Sequence, residues 1–146
     1  MYFVDMKKMN ERLDFFDDML SLTTENQFQT KLELLALERI THVIIESLLD
    51  VGNMMIDGFI MRDPGSYLDI VHILVDEKVL PEDDKSAYEA IINVRKELVH
   101  EYSQLDHQRL LNTIEKHYPV LSLFTENIRS YLANEMGVAN TFTNPE

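Results

Sequence analysis

Two groups of residues in this chain have types and spacing that could do chemistry. Glu38, His42 and Glu46 recur at four-residue intervals, which puts all three on one side of a helix. Two carboxylates around an imidazole could ligate a metal ion, yet no second ligand cluster stands elsewhere in the sequence, and such pairs are common on helix surfaces. The expectation is therefore no metal and no other cofactor. The second group lies between Ala87 and Tyr102. Ala87, Ile91, Val94, Leu98 and Val99 form an apolar arc, and Arg95 and Tyr102, seven residues apart, fall inside it. An arginine in a core-facing arc needs a partner, because its guanidinium stays charged at any working pH. Glu46 and Asp50 are the candidate counter-charges. The alternatives are a purely structural ion pair or an arginine whose head reaches solvent. His100 points about 140° away from Arg95 on a straight helix. The two converge only if the helix ends near Leu98 or if a twofold axis brings a second copy of the segment close. Otherwise His100 is a capping or surface residue.

These residues must be held by helices. The chain has 146 residues, suited to one domain. With 45% hydrophobic and 27% charged residues it has a globular composition. Only four Gly and four Pro punctuate long apolar periodicities, which predicts an all-α, up-and-down bundle of about five helices. The first helix runs from Asp5, its N-cap, to about Leu22, with Leu13, Phe16 and Leu20 facing inward. The second is long and central, from about Thr30 to Met61, spanning roughly 45 Å. Leu37, Ile40, Ile44, Leu48, Val51 and Met55 repeat along it, and a narrow polar ribbon is left over: Arg39, His42, Glu46, Asp50, Asn53 and Asp57. That ribbon is either the one face open to solvent or a polar seam that receives cations from another helix or another subunit. Ser66 caps a short third helix with Asp69 near a capping-box position, Leu80 to Asp84 lead into a fourth that ends near Tyr102, and Asp106 caps a fifth reaching about Met136. Pro119 should kink or split that fifth helix. Residues 1–136 read as a single bundle domain and 137–146 as a loose tail.

Composition also excludes functions. With no cysteine, a disulfide scaffold, a thiolate zinc site, an iron–sulfur cluster and a cysteine nucleophile are ruled out. Thirteen Lys and Arg against 26 Asp and Glu give a formal net charge of −13. That balance opposes docking on anionic membranes and gripping long DNA or RNA by bulk charge. The beginning of the chain mixes acid and base where a signal peptide would be apolar, and no apolar run reaches about 18 residues, so the expectation is a soluble cytoplasmic protein without membrane or DNA partners.

The segment from Arg95 to Tyr102 reads R-x4-H-x-Y. It resembles the signature of HepT-like toxins, a branch of the HEPN (higher eukaryote and prokaryote nucleotide-binding) superfamily. The stretch from Ala36 to Asn53 resembles the long family helix, and Asp63-Pro64-Gly65-Ser66-Tyr67 and Leu80-Pro81 resemble the family's short connections. The resemblance runs in order over about residues 30–125. It implies a helical bundle that forms a homodimer with the motifs of both chains at the interface. It implies a metal-independent endoribonuclease, paired with a nucleotidyltransferase antitoxin that adds AMP to the motif tyrosine. Arg95 and His100 would be the catalytic pair and Tyr102 the modified residue; Lys96, Glu46, Asp50 and Asn53 are the supporting candidates that this chain's own residues add. An imidazole titrates near neutrality and suits acid–base work on a ribose hydroxyl, and a guanidinium fork suits charge on a phosphorane-like transition state. One position departs from the family pattern: the usual uncharged residue after the arginine, often Asn, is here Lys96, an added cation beside the site. The competing expectation is a non-catalytic dimeric module of the same fold that recognises a nucleotide or a partner protein.

Overall fold

The computed structural model describes the backbone of residues 3–139 and the side chains of residues 3–135. Six α-helices follow one another: α1 Met6–Glu25, α2 Lys31–Gly58, α3 Tyr67–Asp76, α4 Lys85–His100, α5 His107–Leu121 and α6 Phe124–Ala139, with a 3₁₀ turn at Glu82–Asp84. No strand occurs among the described residues. Each N-cap read from the sequence is made. Asp5 accepts from the Lys8 N–H, Ser66 from Asp69 and Asp106 from Arg109. Thr30 and Glu33 close a reciprocal capping box at the start of α2.

The long α2 is the axis of the bundle. It packs against α1, α3 and α4, and Leu37, Ile44, Leu48, Val51 and Met55 are buried along it, as their spacing predicts. Its buried hydroxyls are satisfied internally: Thr41 donates to the Leu37 carbonyl at 2.8 Å and Ser47 to Ile44 at 3.0 Å. Gly52 lets α3 approach. A Cβ there would lie 2.5 Å from Cγ2 of the buried Ile70, a branch that cannot swing away.

Pro119 splits the expected fifth helix in two. It lacks the N–H that would continue the ladder, and α5 ends two residues later at Leu121. Ser122 donates its hydroxyl back to the Pro119 carbonyl at 2.8 Å. The break turns Phe124 into the core, where its ring meets Phe16 at 4.9 Å and Tyr88 at 5.9 Å between centroids. These contacts tie α6 to α1 and α4. Asp17, accepting from the Thr125 hydroxyl at 2.9 Å, and Asp14, paired with Arg129 at 3.1 Å, reinforce the first of them. The α6 backbone continues to Ala139, past the expected end at Met136. The remainder of the tail, 140–146, lies outside the described residues.

Candidate functional site

Arg95 is held from two sides. Its Nε donates to Oε2 of Glu46 across the α2–α4 contact at 2.7 Å, and its Cζ sits 4.5 Å from the centroid of the Tyr67 ring at the start of α3. Three helices thus fix one guanidinium. The bond to Glu46 pushes its pKa above the ordinary arginine value, against the opposing effect of partial burial. The side chain is still 25% exposed, so its remaining donors reach the surface. Glu46 is therefore the partner expected from the sequence. Asp50, the other candidate, instead faces Arg12 of α1 at 3.5 Å, in an exposed pair worth little. The polar ribbon of α2 proves to be both things proposed for it. It is partly open to solvent, and it receives one cation from α4 and another from α1. Asn53 is exposed on the same ribbon.

The other motif residues lie at the end of α4. The helix continues unbroken to His100, so Arg95 and His100 keep their angular separation of about 140° within one chain. His100 and Lys96 are exposed. Tyr102 falls in the turn after the helix rather than on its apolar arc and is 71% exposed. The arc pattern failed there because α4 stops at His100, two residues before the last residue the periodicity included.

The spacing of Glu38, His42 and Glu46 does not become a ligand set. Glu38 turns to His107 at the start of α5, 2.6 Å away, and Glu46 turns to Arg95 with His42 4.0 Å off. No group of three His, Asp or Glu suited to a metal ion occurs among the described residues. Tyr67 was missed as a site residue. Its aromatic face meets Arg95 only through the tertiary packing of α3 on α4, and the one sequence signal was its place directly after the Ser66 cap. What seats it is a carboxylate clamp. Asp69 accepts two hydrogen bonds from Arg62, at 2.8 and 3.0 Å, and one from the Gly65 N–H at 2.8 Å. That clamp pulls the Asp69 pKa down to about 2, the Arg62 bond being the largest cause. The Asp69 carboxylate thus serves the turn before α3 and not the reciprocal arm of a capping box.

Arg95, braced by a carboxylate and an aromatic ring, precedes the exposed His100 and Tyr102 by five and seven residues. The family model for "Ribonuclease HepT-like" proteins matches residues 9–128. The chain belongs to the HepT-like ribonuclease family. A Bacillus subtilis (strain 168) protein named "Putative RNase YutE" is 47% identical over 143 residues, covering 97% of this chain and 99% of that protein. A solved structure of YutE from Bacillus subtilis, described as a cytosolic protein of unknown function, superposes with a TM-score of 0.90 at 48% identity over 94% of this chain and 96% of the other. The HepT-like fold expected from the motif and its flanking segments is the fold observed. No helix among the described residues is long and apolar enough to cross a membrane.

Proposed function

We propose that this HepT-like chain is a metal-independent endoribonuclease that works as a cytoplasmic homodimer, the toxin of a pair whose antitoxin is a nucleotidyltransferase. His100 takes the proton of a ribose 2′-hydroxyl, the oxygen attacks the adjacent phosphorus to close a 2′,3′-cyclic phosphate, and the bond from phosphorus to the 5′-oxygen breaks as that oxygen takes a proton from water. Arg95 stabilises the charge that builds on the non-bridging oxygens. Lys96 adds a cation beside the phosphate, while Glu46 orients Arg95, and Asp50 and Asn53 border that face. Tyr102 is the acceptor for AMP, whose bulk and negative charge would fill the space between the two motifs at the dimer contact and reverse its field.

The observation that carries this reading is the pairing of a pre-braced Arg95 with a His100 that the same helix turns away from it. A twofold contact at the end of α4 brings the arginine of one protomer toward the histidine of its partner. The exposed apolar residues Leu35, Tyr67, Val99 and Tyr102 supply surface suited to such a contact.

Subunit mixing tests it. Arg95→Ala and His100→Ala proteins should each fail to cut RNA. When they are unfolded and refolded together in equal amounts, half the dimers are mixed and each mixed dimer holds one intact composite site. About a quarter of wild-type cleavage should return. No recovery in demonstrably mixed dimers would reject the shared site, and cleavage by the His100→Ala protein alone would reject the catalytic assignment.

A further inference from the structure

Asn93, Glu97 and His100 share the side of α4 that faces away from Arg95, within about 60° of one another around the helix. Between that side and α5 runs an open cleft of about 380 Å³. Its floor is apolar, made by the buried Val94 and Leu110 and the half-buried Leu105. Its polar groups are unevenly satisfied. Both carboxylates are engaged: Glu97 holds both terminal nitrogens of Arg109, at 3.0 and 3.2 Å, and Oδ1 of Asp106 accepts the Arg109 backbone N–H at 3.1 Å. Asn112 Oδ1 already accepts from Gln108 at 3.0 Å, which leaves its Nδ2 to donate outward. The Asn93 amide and the Lys116 ammonium, both exposed at the rim, make no side-chain bond to any described residue. His117 completes the rim, and burial, helped by Lys116, pushes its pKa down so that it presents a neutral flat ring at pH 7. A floor of aliphatic carbon, spare donors at the edge and one spare cation suit a flat ligand that carries acceptors and a neighbouring anion. A bare anion would have no use for the floor. A nucleotide of single-stranded RNA has all three features.

We propose that the α4–α5 cleft is a base-recognition subsite, seating one unpaired nucleotide of the RNA strand whose scissile phosphate lies at His100. Asn93 and Asn112 read the acceptors of the base edge, and Lys116 holds the nucleotide's own phosphate. Asn93 and His100 are seven residues apart, about 10 Å along α4, so a single bound strand reaches both. The identity of the ligand rests on the ribonuclease reading, but its binding does not require cleavage.

The test uses the full-length protein and four labelled 2′-O-methyl homohexanucleotides, which cannot be cut because the nucleophile is capped. Fluorescence anisotropy should show one base bound about fivefold tighter than the others, the low end of what a pair of edge hydrogen bonds supplies. Asn93→Ala with Asn112→Ala, both at exposed positions, should level that preference. Lys116→Gln should weaken all four oligomers alike. Equal affinity for the four bases, a preference that survives the double substitution, or no binding at all would overturn the subsite. A mononucleotide binding as tightly as its hexamer would assign the cleft to free nucleotides and overturn the RNA-strand reading. Base-selective binding without cleavage of the matching 2′-hydroxyl RNA supports the subsite and removes the ribonuclease. Cleavage with no base selectivity does the reverse.

Discussion

At the scale of single residues, the question is what Glu46 does for Arg95. Its carboxylate is 41% exposed, so the ion pair adds about 1 kcal/mol or less to stability. Its effect is on direction. Without the 2.7 Å bond the guanidinium keeps only the Tyr67 ring beneath it, and a planar cation above a ring can slide and rotate. Glu46→Ala should therefore leave the thermal midpoint nearly unchanged and lower kcat for RNA cleavage on the order of 10- to 100-fold, with little change in KM, the size of effect that misplacing a reacting group produces. Glu46→Gln keeps an acceptor for Nε and should recover part of that loss. Equal kcat for all three proteins would show that the brace is structural only. The exposed Arg12–Asp50 pair is the internal comparison: Asp50→Ala, one turn along the same ribbon, should change kcat far less.

At the scale of elements, the turn between α2 and α3 decides whether Tyr67 reaches Arg95, and it titrates. The Asp69 carboxyl has a pKa of about 2 in the folded chain and about 4 in an unfolded one. The unfolded state binds its proton first as pH falls, so the stability this clamp contributes is complete above about pH 4 and is lost between about pH 4 and 2. Asp69→Asn should lower the thermal midpoint at pH 7 and flatten its dependence on pH within that window. A parallel loss in wild type and variant below pH 4 would exclude Asp69 as the cause. How much of such detail is legible in sequence depends on range. The caps at Asp5, Ser66 and Asp106 are local hydrogen bonds, so the sequence shows them directly. The R-x4-H-x-Y spacing is legible because it is local in the chain, with Arg95 and His100 on α4 and Tyr102 in the turn just after it. The end of α2 was not. It closes at Gly58 with the Met61 N–H bonded to the Ile56 carbonyl and the Ile60 N–H to Asp57, and the left-handed position is filled by Ile60 at φ 53°. A β-branched residue almost never takes that conformation, so no glycine signal marked the stop. Arg95–Tyr67 and Glu38–His107 were hidden for another reason: they join different helices, and helical periodicity fixes a residue's face but not which element packs against it.

At the scale of the whole molecule, the net charge of −13 and an RNA substrate pull in opposite directions, and the ion pairs show how they coexist. Arg12, Arg62, Arg95, Arg109 and Arg129 each pair with a carboxylate of the same chain. The excess acid stands on outer surfaces, at Glu11 and Asp18 of α1 and at Glu82 and Asp83 before α4. Near the end of α4 and along the cleft, Lys96 and Lys116 are exposed and have no such partner among the described residues. An RNA strand approaching this surface is repelled at long range and meets only a few cations at contact. Each phosphate neutralised on a single strand contributes about −0.7 to the slope of log K against log salt. Two or three contacts then give a slope no steeper than about −2, where proteins that grip nucleic acid by bulk charge make 6–10 contacts and lose affinity far faster. Affinity for a non-cleavable RNA should accordingly be weak and fall only mildly as salt is raised from about 50 to 200 mM. Lys96→Gln and Lys116→Gln should each make the slope shallower by about 0.7. A wild-type slope steeper than about −4 would mean that a basic surface spans many phosphates, and the acidic shell would then be no barrier to capture.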